Sequence, residues 1–188
     1  MANADQPTGF MPLRHVSGGV GAPRSSEYSF ASGYATALFR GDVVAFSSGL
    51  IVRAAASTGT ILGVVRGFEW TDTDGIPKFT PNWVASTATL NSAAVKVHVW
   101  DDPMTEFRCQ ADTTTAYVEA THRGTAADIV LTHAGSTFTG QSGMELDLSA
   151  AGDEQFLILG LVDEPGNAVG VNAKLRVKML NSVLGRSA

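Results

Sequence analysis

Cysteine is almost missing from this chain: Cys109 is the only one in 188 residues. An intramolecular disulfide framework is therefore excluded. The residue sits in the run Glu106-Phe-Arg-Cys-Gln-Ala111, where a lone thiol reads as a small core side chain. Charge is scarce as well. Charged residues make up 16% of the sequence, and Lys78, Lys96, Lys174 and Lys178 are the only lysines. With a net charge of −5 and no basic stripe, counterion release cannot drive binding to a phosphate backbone, so nucleic acid is not an expected partner. No run approaches the roughly 20 apolar residues of a membrane-spanning helix. The opening Met1-Ala-Asn-Ala-Asp-Gln-Pro7 has neither the basic nor the apolar region of a signal peptide. These absences lead us to expect a soluble protein made in a cytoplasm, with no membrane partner.

Catalytic and cofactor signatures are missing too. The nearest approach to a nucleophile elbow, Gly140-Gln-Ser142-Gly143, has the wrong spacing and precedes a strand. His15, His98, His122 and His133 lie far apart, and no pair has a zinc-site spacing. Asp72-x-Asp74-Gly75 begins like a calcium loop but lacks the later ligands, so it reads as a polar turn. Gly18-Gly19-x-Gly21 has no strand before it and no helix after it, unlike a phosphate loop. Arg40-Gly41-Asp42 reads as a turn opening a strand. The expectation is a protein that is not an enzyme and holds no metal or cofactor.

What the sequence does contain is a change of texture near residue 37. Residues 1–36 carry Gly9, Gly18, Gly19, Gly21 and Gly33 with Pro7, Pro12 and Pro23, and no apolar run long enough for a helix or buried strand. Isolated hydrophobic residues punctuate the stretch, which a disordered tail usually lacks. It reads as an extended N-terminal arm. Fully extended, 26 residues span up to about 85 Å, roughly twice the diameter of a compact chain of this length, so the arm could reach a neighbouring subunit.

Residues 37–188 read as one β-rich domain. Gly41–Phe46 and Leu50–Ala54 flank Ser47-Ser48-Gly49 in a hairpin pattern. Thr60–Trp70 follows, and Asp72–Pro77 forms a turn. In Ala94–Trp100, Val95, Val97 and Val99 alternate with Lys96, His98 and Trp100. After Asp101-Asp102-Pro103, Glu106–Ala111 is expected to pair back onto that strand. Thr114–His122 reads as one short helix, capped by Asp112 or Thr113 and ended by Gly124. Asp128–Thr132, Gly143–Ser149, Phe156–Asp163 and Ala173–Leu180 read as four more strands. This spacing indicates an all-β barrel or sandwich with at most one short helix.

Three phrases then carry a family likeness. Met1-Ala-Asn-Ala-Asp-Gln-Pro-x-Gly-Phe-x-Pro-Leu-Arg-His15, the stretch from Ser32 to Val44 (Ser-Gly-Tyr-Ala-Thr-Ala-Leu-Phe-Arg-Gly-Asp-Val-Val) and the ending from Phe156 to Lys174 resemble small virion proteins of tailed bacteriophages. The succession Gly-Asp-Val-Val, Gly-Leu-Ile-Val, Thr-Ile-Leu-Gly-Val-Val is similar to the barrel of lambda-type head decoration, or cement, proteins. The resemblance implies a β-tulip-like body on the capsid exterior, a homotrimer, and an arm that adds a strand to the major capsid protein.

On that reading the partner-binding residues are Phe10, Met11, Leu13, Arg14 and His15 on the arm, and Tyr28, Phe30 and Tyr34 where it joins the body. Phe10 and Leu13 serve as pocket anchors, and Arg14 pairs with a shell carboxylate. Two alternatives stand beside it. One is another virion component, such as a head–tail connector, a tail protein or a fibre-attachment protein. The other is a glycan-binding β-domain displayed on the virion, for which Trp70, Trp83 or Trp100 would have to be exposed.

Overall fold

The computed structural model describes residues 3–18, 23–149, 152 and 154–185. The chain is all-β. In order, its strands are β1 (Met11–His15), β2 (Ser26–Phe30), β3 (Leu38–Phe39), β4 (Val43–Ser47), β5 (Leu50–Arg53), β6 (Gly63–Thr71), β7 (Pro77–Thr80), β8 (Asn82–Trp83), β9 (Val95–Trp100), β10 (Thr105–Gln110), β11 (Ala126–Leu131), β12 (Met144–Asp147), β13 (Phe156–Leu161) and β14 (Lys174–Met179). A single turn of helix, α1 (Glu119–His122), lies between β10 and β11.

The strands form a six-stranded sheet, β1-β10-β14-β13-β11-β12, and a second sheet, β2-β9-β6-β4-β5, with β7 beside β6. Strands β3 and β8 pair separately. The first sheet curls on itself: Ala111, just past β10, bridges Leu146 of β12, and the Asp112 amide donates to the Leu146 carbonyl at 2.9 Å. Strands β10, β14, β13, β11 and β12 thus make a ring, and β1 lies outside it against β10.

Strict alternation lets the second sheet serve two cores. Val43, Ala45, Val64 and Trp100 turn toward the ring and join Phe107, Cys109, Leu146, Phe156, Leu175 and Val177. Val44, Val65, Val97 and Val99 turn the other way, onto Phe30, Phe68 and Trp83. Cys109 is 1% exposed, and burial drives its thiol pKa well up, so it packs as the core residue its context predicts.

Several turns follow their sequence signals. Ser47 pairs with Leu50, and Ser48 and Gly49 both have positive φ, the geometry of a two-residue hairpin. At Asp72–Ile76 the Asp72 carboxylate accepts from the Asp74 and Ile76 amides, a polar turn. Gly41 adopts φ +93° at the mouth of β4.

Three expectations are corrected. Strand β10 does not pair back onto β9; it pairs with β1 and β14, while β9 pairs with β2 and β6. The physical reason is that Val95, Val97 and Val99 belong to one core and Phe107 and Cys109 to the other. The helix expected over Thr114–His122 is confined to its last turn. Tyr117 is buried and exchanges backbone hydrogen bonds with Gly170, which holds the preceding residues extended.

The third correction concerns the N-terminal arm. Residues 1–36 were expected to lack secondary structure, yet they supply an edge strand to each sheet, β1 and β2. Of the isolated apolar residues that suggested a docking arm, Phe10 and Phe30 are buried within the chain itself, while Leu13 and Val16 stay exposed. Met1, Ala2 and residues 19–22, which include part of the glycine motif, lie outside the described residues.

Candidate interaction surface

The N-terminal segment is fastened at successive points. The Asn3 side chain donates to the Ala168 and Val171 carbonyls, both at 2.8 Å, and accepts from the Ala168 amide at 2.9 Å. Gly9 crosses the mouth of β4 with φ +67°, where an added Cβ would lie 2.5 Å from Ser142 Cβ and 2.7 Å from the Gly41 carbonyl oxygen. Only glycine suits both the conformation and the space. The Phe10 amide then donates to that Gly41 carbonyl at 3.0 Å.

The proposed anchors divide accordingly. Phe10 is fully buried and stacks on Phe156 with ring centroids 4.3 Å apart, so it is a core residue and not a pocket anchor for a partner. Arg14 has its carboxylate within the chain, Glu106, at 2.9 Å. His15 lies 3.4 Å from Asp102, and Met11 is half-buried. Leu13 sits where the β1–β10 register shifts and is exposed. Pro12, that bulge and the Arg14 charge are devices that blunt an edge against strand addition. Side chains, and not a backbone ladder, are what β1 offers a partner.

Residues Tyr28, Phe30 and Tyr34 belong to the second core. Phe30 is 1% exposed. Tyr28 donates to Asp101 at 2.7 Å; burial, reinforced by that bond, raises its pKa to about 12. The Tyr34 hydroxyl accepts from the Arg53 amide at 3.2 Å, and its carbonyl accepts from the Trp83 indole at 3.2 Å.

The tryptophans do not form a sugar-stacking platform. Trp83 and Trp100 are buried, and Trp70 packs edge-on against Trp83 at 5.2 Å. Ser142, the nearest match to a nucleophile, is buried; its hydroxyl donates to Asp42 and accepts from the Met144 amide at 2.9 Å, a structural role.

Exposed apolar groups lie elsewhere. Phe138 is 97% exposed and Phe79 is 72% exposed. The Phe138 loop is held beside Pro81, because the Arg40 amide donates to both the Gly140 and Pro81 carbonyls, at 3.0 and 2.7 Å. Phe79 lines an open cleft of about 380 Å³ with Arg40, Arg66, Phe68, Pro81 and His98. A second apolar group gathers from other segments. Val16 and Met104 are exposed neighbours joined by a 2.8 Å backbone hydrogen bond, and Gly185, next to exposed Leu184, packs against Pro103. Sequence reasoning missed the first group, and of the second it marked only Val16, among the isolated hydrophobic residues of the N-terminal stretch. Short polar-flanked loops such as Ser136-Thr-Phe138-Thr carry no periodicity, so nothing distinguished this ring from a buried one.

One polar cluster completes the picture. Asp5, His133 and Glu145, from three distant segments, present ligand-type atoms within 4.8 Å of one another.

Compared with known proteins, the chain matches no family model, no curated protein and no solved structure. No helix among the described residues is long and apolar enough to cross a membrane.

Proposed function

We propose that this chain is a structural protein of a bacteriophage virion that binds the outer surface of the capsid and stabilises it, acting as a homotrimer on the major capsid protein. The observation that carries the reading is the pair of exposed phenyl rings, Phe138 and Phe79, the second of which lines an open cleft on an all-β body. Large exposed aromatics on a rigid frame mark protein contact, since solvating them alone is unfavourable. The second apolar group at Val16 and Met104 supplies another contact, as a protein bridging shell subunits and its own copies requires. Many modest contacts repeated over a lattice gain by effective concentration. The phage-like phrases at both ends of the chain agree with this role. The N-terminal segment contributes Leu13 and Val16 to it, while Phe10 and Phe30 secure that segment to the body.

Quantitative mass spectrometry of purified virions tests the proposal directly. A copy number equal to, or a simple fraction of, the shell count is expected. A dozen copies or fewer would place the protein at the head–tail connector or tail, and absence from virions would overturn the reading.

A further inference from the structure

We propose that Asp5, His133 and Glu145 form a binding site for a divalent transition-metal ion, with zinc the first choice, that clasps the N-terminal segment to strand β12. The inference is independent of any role on a capsid.

The site is assembled by the fold. Asp5 comes from the segment before β1, His133 from the turn after β11, and Glu145 from β12. His133 is brought in by a close backbone approach: a Cβ on Gly143 would lie 2.1 Å from the His133 carbonyl oxygen. The imidazole then stands between the carboxylates, with Nδ1 3.3 Å from Glu145 Oε2 and Nε2 3.6 Å from Asp5 Oδ2.

Neighbouring groups orient these ligands. The Gln110 amide nitrogen donates to Asp5 at 3.1 Å and to Glu145 at 3.2 Å, while its oxygen accepts from the Gln6 amide at 3.3 Å. The Thr132 hydroxyl donates to Glu145 Oε2. Such outer hydrogen bonds are what hold metal ligands in place.

Charge balance calls for a cation. Glu145 is 1% exposed, and among the described residues the ion pairs of Asp5 and Glu145 all run to His133. A single imidazolium offsets at most one of the two carboxylates.

The donor set selects the metal. One imidazole nitrogen and two carboxylate oxygens suit zinc and its first-row neighbours, whereas magnesium and calcium favour all-oxygen shells. Ligand distances of about 2.0–2.2 Å require the donors to draw together, and the half-exposed side chains of Asp5 and His133 are free to do so. Three protein ligands leave a position for water. Asp5 and His133 are exposed, so the site is open to solvent on their side.

The test is calorimetric titration of zinc chloride into the EDTA-stripped, dialysed full chain, with calcium chloride as comparison. One equivalent of zinc is expected to bind, with calcium at least tenfold weaker. His133→Ala and Asp5→Asn should each weaken zinc binding at least tenfold, and His15→Ala should leave it unchanged. Thermal unfolding in EDTA, expected to be the same for all variants and the parent, shows that the variants are folded. Absence of zinc binding, equal binding of calcium, or binding indifferent to both His133→Ala and Asp5→Asn would overturn the proposal.

Discussion

The core inside the ring of strands is mostly aliphatic and sealed by the closure of β10 onto β12, whereas the core under the second sheet is pinned by interlocking aromatic rings. In the first, Phe10 makes one stacked contact, with Phe156. In the second, Phe30 meets Tyr34, Phe68 and Trp83, with centroids 5.3, 6.0 and 5.0 Å away. The N-terminal segment supplies one key ring to each, but on different terms. Strand β1 lies outside a ring that closes without it; β2 is the edge of a sheet that no strand pairing closes, though it packs against β5. The first core should therefore tolerate loss of its N-terminal strand better than the second.

Phenylalanine truncation probes that difference most strongly. Phe30→Ala and Phe10→Ala should each lower the unfolding free energy by about 3–5 kcal/mol. Phe30→Ala should cost about 1 kcal/mol more, because edge-to-face ring pairs add to area burial. Urea denaturation measures both. If Phe10→Ala proved silent, the first residues would have to be a free arm after all.

The junction between the two cores has its own pH signature. Burial raises the Asp42 carboxyl from an ordinary 3.8 to about 6, against the opposing bonds from the Ser142 hydroxyl and Phe39 amide. The folded state therefore holds a proton that the unfolded state has released. This contribution is full below pH 3.8 and is lost as pH rises to about 6. The rise corresponds to about 3 kcal/mol. Asp42→Asn should flatten the stability-versus-pH curve in that window.

Gly9→Ala tests the crossing point that delivers Phe10 to the ring. A side chain there meets both positive φ and the Ser142 and Gly41 atoms, so a loss of about 1–3 kcal/mol is expected in thermal unfolding. At the small end, Phe138→Ser and Leu13→Ser should change stability by no more than about 0.5 kcal/mol. On the proposed function, Phe138→Ser should nevertheless reduce retention on capsids in a co-sedimentation assay. Unchanged retention would remove Phe138 from the interface.

Much of the body was legible because its signals are local. The period-two valines of β9 and the Ser48-Gly49 turn specify their own geometry within a few residues. The N-terminal segment was misread because its signals are not local. Pro12 and the scattered glycines argue against a strand until β10 is there to pair with β1 and Phe156 is there to receive Phe10. The Asp5, His133 and Glu145 cluster was illegible for the same reason, since no spacing rule links three segments so far apart. Composition and alternation by themselves determined an all-β protein with a low-charge surface and a buried lone thiol. Only the tertiary structure decided which strands share a sheet, which apolar rings are buried and which stand in solvent, because each depends on surfaces that exist only once distant segments have met.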